Sequence, residues 1–128
     1  MKTKAIYMLL TLSVLLMAYK IDVIEDISFA IRSGNSRNIS KYFIEQIDLK
    51  MIDKESVYSK QQAEMILKDF FEKHIVKTYT VAHKSEPKNG SQYVIGALDT
   101  SKGKFKTYFL IKTSADKSLV QQFRIENE

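Results

Sequence analysis

Beyond residue 75 the chain changes period and does not change back. Four stretches in succession, "VKTYTVAHK" (76–84), "SQYVIGALDT" (91–100), "KFKTYFLIKT" (104–113) and "SLVQQFRIE" (118–126), alternate along the chain with a period of two. Turn residues separate them at Pro87 to Gly90, Ser101 to Gly103 and Ser114 to Lys117. A period of two is that of a strand with one buried face. Connections this short cannot carry the crossover that a parallel pair needs, so the four strands pair as an antiparallel meander. One face of that meander then needs a cover, and only the segment before it can supply one.

That segment is mainly helical. "SKQQAEMILKDFFEKH" has Ser59 and Gln62 in capping-box spacing, and Ala63, Ile66, Leu67, Phe70, Phe71 and His74 recur along one helical face. Glu64 to Lys68 and Asp69 to Lys73 have the spacing of ion pairs on its solvent side. Earlier, Asp22 is a candidate N-cap with Glu25 three residues on. Ile24, Ile27 and Ile31 form a stripe, and Gly34-Asn35 offers a left-handed stop. A short helix or turn is expected around Ile39, Tyr42 and Phe43, and a strand over "IDLKMID", where Ile47, Leu49 and Met51 alternate. The expected order is helix, short helix, strand, long helix and four strands: an α+β domain with helices packed on one face of a curved antiparallel sheet.

At 128 residues the chain has room for one such core, and a hydrophobic fraction of 45% is that of a folded protein. Residues 1–18 are set apart from it. Lys2 and Lys4 precede an apolar run from Ala5 to Ala18, the layout of a secretory signal that is too short to span a bilayer comfortably. Leu16 at the minus-three position fits cleavage after Ala18 poorly, so an uncleaved anchor is the alternative. Residues 20–128 make up the single domain, with no membrane span in the mature form. The absence of Cys excludes both a lipobox and disulfides. Loss of Lys2 and Lys4 takes the formal net charge from +5 to +3, and the charge that remains is uneven. Residues 19–72 carry eight Lys or Arg against ten Asp or Glu, whereas residues 73–125 carry ten against three.

"DFFEKH", the strand ending in "AHK", "YVIGALDTSKGKFKTYFLIK" and "VQQFRIE" together resemble a domain-of-unknown-function family of exported bacterial proteins with a nuclear-transport-factor-2-like, cystatin-like fold. The resemblance covers residues 22–126, and its most specific part is the strand with a central glycine, "YVIGALDT". It implies a cone with a pocket between helices and sheet, and a periplasmic or cell-envelope location. It implies no chemistry and no cofactor.

Neither histidine announces a metal. His74 ends the long helix, where an imidazole suits the free carbonyls, and a strand about 25 Å long, at roughly 3.3 Å per residue, separates it from His83. With no Cys and no close carboxylate pair there is no zinc pattern. Cone-fold enzymes such as ketosteroid isomerases aim Asp, His or Tyr into an apolar cavity. The residues here that could serve a pocket in that way are His83, Tyr93 and Asp99, with Asp99 on the parity of Tyr93, Ile95 and Ala97.

Strand parity offers another surface. Tyr79, Val81 and His83 oppose Val76, Thr78, Thr80 and Ala82. Lys106, Tyr108, Leu110 and Lys112 oppose Phe105, Thr107, Phe109 and Ile111. Val120, Gln122 and Arg124 oppose Leu119, Phe123 and Ile125. One face is core. The other mixes aromatic and apolar residues with Lys and Arg, so Tyr79, Lys106, Tyr108 and Arg124 join the binding candidates. The expectation is an exported, non-catalytic module that binds a small ligand in its pocket or an envelope protein on its sheet face. A pocket enzyme and a sheet-to-sheet homodimer are the alternatives. Export argues against nucleic acid as a partner.

Overall fold

In a computed structural model, residues 22–128 are described; the leader expected over residues 1–18 lies outside them. The elements are α1 (Val23–Arg32), α2 (Ser36–Ser40), β1 (Phe43–Met51), β2 (Lys54–Ser59), α3 (Lys60–Lys73), β3 (Val76–Lys84), β4 (Ser91–Thr100), β5 (Gly103–Ser114) and β6 (Lys117–Asn127). Asp22 caps α1 by accepting from the Ile24 amide at 3.0 Å. Gly34 takes the left-handed conformation at φ 63. Asn35 is not part of that stop: its side chain accepts from the Asn38 amide and caps α2. At α3 the Ser59–Gln62 capping box closes in both directions. Of the two expected ion pairs on α3, Asp69–Lys73 forms at 3.1 Å, whereas Glu64 and Lys68 form none.

The strands form one sheet in the order β2-β1-β6-β5-β4-β3. The meander from β3 to β6 is antiparallel throughout, and β1 joins it by pairing parallel to β6. Two features depart from the expected order. The strand expected from Ile47 starts at Phe43, and a further strand, β2, folds back on it through the tight turn at Ile52 and Asp53. Ile52 enters that turn at φ 59, a conformation that costs a β-branched residue about 1–2 kcal/mol. Its N–H bonds the Ile125 carbonyl at 2.7 Å and its side chain packs against the core, which holds it there.

The helices cover one face of the sheet. Ile24, Ile27 and Ile31 of α1 and Ala63, Leu67, Phe70 and Phe71 of α3 meet Ile47, Leu49, Val94, Leu98, Phe109, Phe123 and Ile125 from the strands. Phe123 is the hub, with its ring centroid 5.5 Å from Phe43 and 6.2 Å from Phe109. Two bulges decide which residues join this core. Gln121 is extra in β6, between the pairs Leu110–Gln122 and Ile111–Val120. Val120 is therefore turned inward and fully buried, while Leu119 lies opposite Lys112 on the outer face, the reverse of simple alternation. Ala82 is extra in β3, between the pairs Val81–Gly96 and His83–Ile95. It separates His83 from the parity of Tyr79 and Val81.

Candidate functional site

The seven candidate residues fall into two groups on opposite faces of the sheet. Tyr79 alone turns inward and is 3% exposed. The chain makes room for it at Gly96: a Cβ there would come within 2.5 Å of the Tyr79 ring edge and hydroxyl and 2.7 Å of Thr107 Oγ1. The central glycine of "YVIGALDT" is thus a place where an aromatic ring lies directly on backbone. Arg32 Nε donates to the Tyr79 carbonyl at 3.3 Å, tying α1 to the β3 edge. The Tyr79 hydroxyl shares its surroundings with those of Ser28 and Thr107, and none of the three has a well-aligned hydrogen-bond partner. Burial pushes the Tyr79 phenol above the ordinary tyrosine value, while the Thr107 and Ser28 hydroxyls and the Arg32 charge pull it down.

His83, Tyr93, Asp99, Lys106, Tyr108 and Arg124 lie on the outer face. Four of these form a continuous row across the strands: the His83 and Tyr93 rings are 5.8 Å apart, Tyr93 and Tyr108 stack at 5.9 Å, and the Arg124 guanidinium lies 5.7 Å from the Tyr108 centroid. Arg124 then bonds Glu55 on β2 at 3.3 Å. The pairing produces the row, because Tyr108 is directly opposite Arg124, and Tyr93 is diagonal to both Tyr108 and His83. The bulge at Ala82 completes it by turning His83 outward. In the alternation expected from sequence His83 shares a face with Tyr79; the extra residue breaks that alternation, and no local signal marks it.

The expected pocket trio of His83, Tyr93 and Asp99 is not brought together in the interior. Asp99 lies near the far end of β4, opposite Thr78 and Lys104, and lines a depression of about 190 Å³ with Thr80 and Lys104. Tyr93 lines a different one, of about 370 Å³, whose floor is Tyr93 and Leu110 and whose rim is Ser85, Glu86, Lys88, Ser91 and Gln92. The hairpin from β3 to β4 builds that rim. It turns through Asn89 and Gly90, both at positive φ, and leans on β5, where the Thr113 amide donates to the Gly90 carbonyl at 2.7 Å. Ser85 braces the base, its hydroxyl accepting from the Tyr93 amide and its carbonyl from Gln92 Nε2.

This face carries charge of both signs, with a small excess of Lys and Arg: Asp99 lies opposite Lys104, Glu126 opposite Lys106, and Asp48 opposite Gln122. Lys104, Lys106 and Lys112 alternate with Tyr108 and Leu110 along β5, and none of the three lysines is in an ion pair. Lys50 takes Glu126 at 3.2 Å and Arg124 takes Glu55, whereas Asp48, opposite Gln122 on the β1–β6 seam, is in no ion pair among the described residues. Sequence reasoning missed Glu55 and Leu110 as site residues. Glu55 belongs to the strand it did not find, and the depression that gives Leu110 its place exists only once the hairpin folds onto β5.

His74 proves structural. Its Nδ1–H donates to the Phe70 carbonyl at 2.8 Å, and its ring stacks on Phe70 at 4.1 Å and meets Phe105 edge-on. Among the described residues no group of three or more His, Asp or Glu could hold a metal ion, and no helix is long and apolar enough to cross a membrane.

Comparison with known proteins places this architecture. The chain superimposes on the crystal structure of a DUF4783 family protein from Bacteroides uniformis with a TM-score of 0.78 and 30% identity, over 84% of this chain and 98% of the other. Two more distant crystal structures share the fold alone. An NTF2-like protein of unknown function from Cytophaga hutchinsonii has a TM-score of 0.58 and 12% identity, over 81% of this chain and 85% of the other. A domain with a cystatin-like fold from Nostoc punctiforme has a TM-score of 0.63 and 9% identity, over 81% and 72%. No curated protein matches significantly. The family model for the domain of unknown function DUF4783 matches residues 24–126, the span from α1 to β6 that builds both faces of the sheet, and the chain belongs to that family.

Proposed function

We propose that the protein is an exported, non-catalytic binding module that engages an acidic protein partner across the outer face of its sheet. The observation that carries this reading is the His83–Tyr93–Tyr108–Arg124 row set beside the unpaired Lys104, Lys106 and Lys112. Partly exposed aromatic rings such as Tyr93 and Tyr108 offer contact area at little entropic cost, and Arg and Tyr are the side chains that most often dominate interfaces. The lysines add a field that favours an acidic surface and raises its association rate. Export to the periplasm or cell envelope rests on the charged start and apolar run of residues 1–18.

Native mass spectrometry of the protein purified at low salt from its own cell envelope tests this. The expected species is a mature chain beginning at Tyr19, bound to one polypeptide that salt releases. The Lys104→Glu, Lys106→Glu, Lys112→Glu variant should lack that polypeptide. A bare monomer would overturn the reading, and a salt-resistant dimer would replace it with sheet-to-sheet self-association.

A further inference from the structure

We infer that the depression over Tyr93 and Leu110 is the anchor pocket of this face, and that it takes one apolar side chain from an acidic, extended segment of the partner. The inference rests on the reading of the outer face as a protein-binding surface and adds where, and by what chemistry, the partner is recognised. Unlike the depressions around Asp99, around Phe29 and Tyr42, or between Gly34 and Lys68, this one has a wall that is mainly carbon. Its volume of about 370 Å³ accommodates a Leu, Met or Phe side chain together with some backbone.

The charges around it specify the neighbours of that side chain. Lys88 stands on the rim and Lys112 lies directly opposite Ser91, while Lys106 and Lys104 continue the outer row of β5 beyond Tyr108. Glu86 is the one acid on the rim. From Lys104 to Lys112 the row spans about 26 Å at roughly 3.3 Å per residue. A segment laid along it would meet Lys104 and Lys106, which have Asp99 and Glu126 opposite them on the neighbouring strands, then Tyr108, then the pocket, then Lys112 and Lys88. The complementary sequence is an apolar residue with acidic residues on both sides. A basic or wholly apolar segment would leave the lysines unpaired or place like charges together.

Panning a displayed random-dodecamer library on the full chain is the test. The enriched peptides should carry a large apolar residue flanked by two or more Asp or Glu. For the best of them, measured by fluorescence anisotropy, Ala at the apolar position should weaken binding at least tenfold, as should Leu110→Gln. Ser91→Glu, which sets a carboxylate on the rim, serves as a second variant should Leu110→Gln unfold the protein, and circular dichroism confirms the fold of each. Acidic peptides that have no apolar anchor and ignore both variants would overturn the pocket while leaving the acidic-partner reading standing. Neutral or basic peptides, or no enrichment, would overturn both.

Discussion

The two faces of this sheet are built from neighbouring residues of the same strands, yet they follow different rules. Phe109 is fully buried against Phe123, while Tyr108, one residue earlier, lies partly buried between Tyr93 and Arg124. On the inner face an aromatic ring is held by close packing on every side, so its removal leaves a void. On the outer face similar rings touch one another only along the sheet, and water or a partner fills the rest. The inner face therefore bears on stability, whereas the outer face is free to be chosen for binding. Two features test that division. Tyr79 carries a hydroxyl into the packed face, and Glu55–Arg124 places an ion pair on the open one.

The sharpest way to break the contrast is at the adjacent pair. Phe109→Ala should destabilise the protein by about 3–5 kcal/mol through lost transfer energy and a cavity. Tyr108→Ala should cost less than about 1 kcal/mol. Denaturant unfolding of both variants checks this, and similar losses would mean that the outer row is part of the core.

Gly96→Ala should follow, at about 1–3 kcal/mol, because the new methyl would meet Tyr79 and Thr107 at distances no carbon tolerates and the ring would have to move. Near-native stability in a thermal melt would show that Tyr79 has somewhere else to go.

Arg124→Gln should change stability by no more than about 1 kcal/mol, since the pair with Glu55 is partly exposed. Urea titration at low and high salt reads this directly. A larger loss would mark the aromatic row as structural.

Tyr79→Phe should be the smallest change at neutral pH, within about 1 kcal/mol and of either sign, because it removes a buried hydroxyl without a well-aligned partner. Its effect should grow in alkali. The phenol is raised in the folded chain, so the folded state holds the proton more tightly than the unfolded one. That contribution is complete below the ordinary tyrosine value of about 10 and is lost as pH rises through the folded value. Unfolding free energy measured upward from about pH 9 should therefore fall more steeply in the parent than in Tyr79→Phe. Tyr42, raised by burial and then by the Asp26 charge and hydrogen bond, contributes to both profiles. Equal slopes would assign the alkaline loss to groups other than Tyr79.

What the sequence determined by itself was whatever depends on neighbours within a few positions. The Ser59–Gln62 cap, the Ile24–Ile27–Ile31 stripe and the period of two after residue 75 each report local backbone geometry, and together they required helices on one face of a meander. Pairing between distant segments decided the rest. β2 was not legible because its hairpin turns on Ile52, a residue that avoids positive φ unless packing and the Ile125 carbonyl compel it. The parallel seam between β1 and β6 joins segments about seventy residues apart, so no local pattern encodes it. The bulges at Ala82 and Gln121 matter most for the site. A single unpaired residue reverses the face of everything beyond it in its strand, and only the partner strand shows that the residue is unpaired. Tertiary structure thereby separated His83 from Tyr79 and delivered it to the row that the sequence had only half assembled.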